Sequence, residues 1–261
     1  MMKKLLAAAC LTTLVVASAG IANAGSAPAS GIYQSPHDIR YAVPGITDVQ
    51  DRLCAFCHTP HHALDATGGP LWSHAVSTQN PAAYSSPSFD TKGIPINDAY
   101  LGDTRLCMSC HDGTVAIDSY YGNTGSSYMT NGTNTVFTNM PMLGTNMSQN
   151  HPVGFDLLAV IAASPSGAGG SPNLNSNLSA SSTYLGNSNT SVTIGSRLFA
   201  GQYMTCRTCH DVHNQKNSTQ NSIKPGTPHF FILGGQLNSG LCITCHNQAG
   251  NNPLGTVPVT Y

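Results

Sequence analysis

The chain is 261 residues long, and charged residues make up only 8% of it, against roughly 25% in an ordinary soluble domain. Its formal net charge is −1, every acid is an aspartate, and lysine and arginine form no cluster beyond Lys3-Lys4, which excludes a basic nucleic-acid-binding surface. The apolar residues are broken up by 26 Gly and 16 Pro, so a conventional aliphatic core for the whole length is hard to assemble and something else must supply one.

Residues 1–24 read as a secretory signal peptide: Lys3 and Lys4, an apolar run from Leu5 to Ala19, then the small-x-small site Ala22-Asn23-Ala24. The run falls short of the roughly 20 residues that cross a bilayer as a helix, and no later stretch comes closer, so no membrane span is expected. Cys10 lies inside the apolar run instead of after it, which argues against a lipid anchor and discards this cysteine with the signal. The mature chain, 25–261, is expected to be one domain with 8 basic and 11 acidic side chains.

Along the mature chain, Thr47-Asp48-Val49-Gln50 fits a capping box leading into a helix at Asp51-Arg52-Leu53, and Asp103-Thr104 and Asn238-Ser239 are candidate caps for two more short helices. Polar loops are expected at about 119–150 and 164–191, the second almost wholly Ser, Asn, Gly, Ala and Leu. Val192-Thr193-Ile194 and Thr135-Val136-Phe137 are candidates for isolated strand pairs, but nothing alternates for long enough to build a sheet. The expected fold class is mostly irregular coil, with short helices and little strand.

Four short segments repeat one pattern: Cys54-Ala-Phe-Cys-His58, Cys107-Met-Ser-Cys-His111, Cys206-Arg-Thr-Cys-His210 and Cys242-Ile-Thr-Cys-His246. Their spacing is uneven, so the repeat is one of motif and not of fold. C-x-x-C-H is the signature of c-type haem attachment. In each copy two thiols, Cys54 and Cys57, Cys107 and Cys110, Cys206 and Cys209, or Cys242 and Cys245, add to the haem vinyl groups. The adjacent histidine, His58, His111, His210 or His246, becomes the proximal iron ligand. These eight are all the cysteines of the mature chain. Zinc ribbons also use paired C-x-x-C but need no histidine after each second cysteine, and a thioredoxin-like role does not call for four identical units. Four haem c groups also answer the missing core: each is a large apolar surface tied to the chain by thioethers and an iron–histidine bond, so irregular backbone can wrap a haem stack.

Seven histidines lie outside the motifs, and four would make every iron bis-histidine, a state suited to electron transfer and not to substrate binding. His61 and His213 each follow a proximal histidine by three residues. That reach is too short to round the rim of the same macrocycle, so each either serves a different haem or is a surface histidine near a haem propionate. His151, before Pro152, and His37, in Ser35-Pro36-His37-Asp38, complete the preferred distal set, with Asp38 a candidate hydrogen-bond partner for His37. His62, His74 and His229 are the surplus. Met140, Met142 and Met147 cluster as well, but there are enough histidines to make methionine ligation unnecessary.

These motif neighbourhoods, together with Pro70-Leu71-Trp72, Asp112-Gly-Thr-Val115 after the second motif and Asp211-Val-His213 after the third, resemble the doubled C-x-x-C-H multihaem cytochromes. That group includes the tetrahaem extracellular cytochrome filaments of the OmcE type. The resemblance covers about half of the mature chain and omits the Ser/Asn-rich stretches. It implies a homopolymer, assembled head to tail around a continuous haem wire, with one axial histidine supplied in trans; by correspondence with the related hexahaem filament, that histidine is His61. The expected role is long-range electron transfer at the cell surface to other redox proteins or extracellular acceptors, with no catalytic residue. Two alternatives use the same motifs: a monomeric periplasmic tetrahaem shuttle, and an electron-donating subunit of a multihaem reductase. The second would need an open iron position or an altered motif, and all four motifs keep histidine.

Overall fold

The computed structural model describes residues 32–64, 69–128, 142–163, 174–185, 191–213 and 240–246, except Gln34, Pro36, Pro44, Pro70, Pro87, Ser88, Asp90 and Ser176. Most of that backbone is irregular. Five short helices interrupt it: α1 (Ile39–Ala42), α2 (Asp103–His111), α3 (Leu157–Ala163), α4 (Ile194–Arg197) and α5 (Gly240–Cys245), with a single 3-10 turn at Cys206–Thr208. Among the described residues β pairing is confined to isolated bridges, such as His58 with Trp72 and Thr183 with Thr193. The second of these includes Thr193 of the expected strand, but Ile194 already begins α4. Residues 135–137, Asn238 and Ser239 lie outside the described residues.

The helix expected at Asp51-Arg52-Leu53 does not form. Asp51 has a left-handed backbone, with φ +52, which an aspartate tolerates but a helix does not. The capping role falls to Asp48 in place of Thr47: its Oδ2 accepts the backbone N–H groups of Gln50 at 3.1 Å and Arg52 at 2.9 Å. The first motif is left with one helical turn, closed by His58 N–H donating to Cys54 O at 2.8 Å.

At α2 the cap also differs from expectation. Asp103 is the first helical residue and Gly102 takes the N-cap position without a side-chain hydrogen bond. Gly102 has φ +57, and a Cβ added there would stand 2.5 Å from the Phe199 ring, so glycine alone fits. Thr193 caps α4 reciprocally with Ser196: Ser196 N–H donates to Thr193 Oγ1 at 3.2 Å and Thr193 N–H to Ser196 Oγ at 3.0 Å.

Two modest apolar clusters stand where a single large core would be. One gathers Tyr100 and Met108 with Phe155, Leu157, Ile194 and Leu198, and takes in Met147; the other holds Ile39, Val43, Ile46, Phe56 and Ile117. Met147 is packing material, its sulfur accepting from Asn150 Nδ2 at 3.6 Å. All four motifs border these clusters, since Met108 sits between the cysteines of the second, Phe56 within the first, Leu241 and Cys245 beside the fourth, and Met204 just before the third.

Candidate functional site

Each motif is fixed to the rest of the chain by main-chain hydrogen bonds from distant segments. Ser73 N–H donates to Cys57 O at 2.9 Å, and Thr59 N–H to Leu71 O at 2.8 Å, so residues 57–59 and 71–73 run as a pinned pair. The second motif lies within α2, and Cys206 N–H of the third donates to the buried Thr104 Oγ1 of α2 at 3.2 Å. Asn175 N–H donates to Cys245 O at 2.7 Å and Leu185 N–H to Thr244 Oγ1 at 2.9 Å, holding the fourth.

The thiols then line up in motif order. Cys57 of the first motif is pushed up to about 12 by burial, with the Cys110 thiol of the second adding to the effect. Cys107 and Cys206 hydrogen-bond to each other, which raises the first and lowers the second. Cys209 is pushed up to about 12 by burial and then by Cys245 of the fourth motif. Neighbouring motifs in the sequence are therefore neighbours in space.

The histidines outside the motifs are now set against those within. The rings of His37 and His111 have centres 6.1 Å apart, those of His58 and His213 6.3 Å, and those of His151 and His246 6.2 Å. A metal–imidazole bond is about 2 Å, and the nitrogen stands about 1.1 Å from its ring centre, so two imidazoles binding one iron from opposite faces have centres roughly 6.2 Å apart. Three of the four C-x-x-C-H histidines thus have a second histidine ring at the centre-to-centre spacing that two imidazoles on one iron would show. Among the described residues no three His, Cys or Asp side chains converge as the ligands of a bare metal ion do. The chain matches no protein-family model and no curated protein.

The surroundings of these rings suit ligation. His151 Nδ1 lies 3.1 Å from Pro152 O, a carbonyl that can only accept, so Nδ1 carries the proton and Nε2 is left for a metal. Burial, followed by the charge of His246 in weaker measure, lowers the His151 pKa, although the carbonyl bond raises it, and a neutral ring is the form that binds iron. Burial and the nearby His111, His210 and His213 push His37 down to about 3. His213 Nδ1 stands 3.7 Å from Asp211 Oδ1, and its backbone N–H donates to the same oxygen at 3.0 Å. Asp38, expected beside His37, pairs with Arg40 through both oxygens, at 2.9 and 3.0 Å.

The remaining candidates separate by burial. His61 and His62 are exposed on the turn after the first motif, where the Thr59 hydroxyl donates to His61 O and His62 is left-handed with φ +58. His74 is buried; its Nδ1 donates to Ala75 O at 2.7 Å and its Nε2 faces Cys110 Sγ at 3.7 Å. His229 lies outside the described residues. The Trp72 ring stands edge-on to both His58 and His74, at 6.0 and 6.5 Å between centres. Neither Trp72 nor the buried carboxylate of Asp112 carries a sequence signal of its own.

Proposed function

We propose that this protein is an exported c-type cytochrome that holds four covalently bound haems and conducts electrons between them. When bound, haem c supplies a one-electron iron couple, and two imidazoles per iron close it to substrate. The observation that carries the reading is the set of three opposed histidine pairs at 6.1, 6.2 and 6.3 Å, each joining a C-x-x-C-H histidine to one of the preferred distal candidates. In this reading His213 serves the first motif, His37 the second and His151 the fourth, and the thiol neighbours set the order of transfer along the chain.

We extend the proposal to a head-to-tail polymer at the cell surface, with His61 reaching a haem of the next subunit. Two things support it: the resemblance to the filament cytochromes, and the exposure of His61 on the turn after the first motif. Negative-stain microscopy and size exclusion of the native haem-loaded protein, beside a His61→Ala variant, test both. Uniform filaments that fall apart in the variant are expected. Discrete particles of monomer size in both samples would remove the polymer and leave the soluble shuttle, while protein without a haem spectrum would remove the cytochrome reading altogether.

A further inference from the structure

The residues that follow the four motifs are Thr59, Asp112, Asp211 and Asn247. Two are acids, and they are handled in opposite ways. Asp211 stands 3.5 Å from Arg197 Nη1 and 3.7 Å from His213 Nδ1, so its charge is met by cationic or polarisable groups. Asp112, only 4% exposed, is surrounded by neutral donors. Ser77 Oγ and Tyr100 OH donate to its Oδ2, the latter at 3.2 Å, and Thr114 N–H and Oγ1–H donate to its Oδ1, both at 2.7 Å. Arg105, whose guanidinium lies 5.5 Å above the Tyr100 ring, is engaged by Asp98 at 3.1 Å and by the carbonyls of Ser77 and Gln79.

Helix stability does not explain an acid at this position. Asp112 is the C-cap of α2, its N–H donating back to Met108 O at 3.0 Å, and a negative charge at a helix C-terminus opposes the macrodipole. The Asx turn that its Oδ1 makes with Thr114 is equally available to asparagine, whose side-chain oxygen accepts in the same way. What asparagine lacks is the charge, and with it the second acceptor oxygen that Ser77 and Tyr100 use. A charge held in a dry interior acts over a longer range than one in water, and Asp112 adjoins His111 in the chain.

We infer that Asp112 is a potential-setting residue: its buried, neutrally solvated carboxylate stabilises the oxidised iron held by His111 and lowers the potential of the second motif. This rests on the cytochrome reading above and adds to it a residue that sets one of its four steps.

Spectroelectrochemical titration of the full haem-loaded chain, with low-spin absorbance recorded in parallel, tests the inference on Asp112→Asn and Tyr100→Phe. Asp112→Asn is expected to raise one of the four couples and leave the other three and the low-spin spectrum in place. Tyr100→Phe keeps the charge and removes one donor, so the same couple is expected to fall. No rise in Asp112→Asn, or an equal rise in Tyr100→Phe, overturns the inference. Should Asp112→Asn lose its haems, Tyr100→Phe decides alone, a fall supporting the inference and no change or a rise overturning it. The failures are distinguishable: wild-type protein with no reducible haem sinks the cytochrome reading, whereas four couples that ignore Asp112 sink this inference only.

Discussion

His213, His151 and His37 can each be removed singly, which makes ligation testable side chain by side chain. Alanine at any one of them is expected to convert one of four low-spin irons to a high-spin form, read by electron paramagnetic resonance, with the other three unchanged. His74→Ala is expected to keep all four low-spin, since its Nδ1 is held by Ala75 and its Nε2 faces a sulfur. Asp48 gives a pH signature. Its bidentate bond to Arg52, opposed by burial, and further bonds from the Arg52 backbone and Tyr120 hold its carboxyl well below the usual range. A depressed native value means that the stabilisation is complete above the unfolded value near about 3.9 and is lost as pH falls from there towards the native one. Asp48→Asn should therefore be less stable than wild type at pH 7, with the gap narrowing at about pH 3 in paired urea titrations. The histidines to weigh as ligands could be named from the sequence because the motif points to iron and iron takes imidazoles. Asp112 could not, since the demand it meets belongs to a folded interior.

At the scale of elements, the contact between α2 and the third motif joins two C-x-x-C-H segments through one hydroxyl. Thr104→Val removes the acceptor for Cys206 N–H and is expected to cost about 1–3 kcal/mol in chemical denaturation, because a buried donor is left unmet. Gly102→Ala should cost about 1–3 kcal/mol by the same measurement, combining a left-handed backbone with the Phe199 ring at its face. These elements also mark where sequence reasoning stopped. The pattern Thr47-Asp48-Val49-Gln50 specifies a polar N-terminal turn and the structure has one, but a left-handed Asp51 ends it at once. Gly102 replaces the expected acidic cap because Phe199, nearly a hundred residues on, fills the space a side chain needs. Such vetoes come from tertiary contacts, and a local window does not contain them.

For the whole molecule, the irregular backbone and the shortage of regular structure were legible from the Gly and Pro content and the broken apolar pattern. The pairing of the histidine rings was not, because it joins positions that lie far apart in the chain and no local rule relates them. Among the described residues the apolar clusters are modest, so protein produced without haem attachment is expected to lack a cooperative unfolding transition by circular dichroism. The opposed pairs also carry a consequence for the order of events during export. A chain emerging N-terminus first brings out His37 and then His111, so on the proposed ligation the second site is complete early. His58 emerges well before His111, yet it waits until residue 213 has crossed before its partner arrives. The first motif to leave the cell is thus among the last to be finished, and truncations that stop short of His213 should yield an intact second site beside an unfinished first.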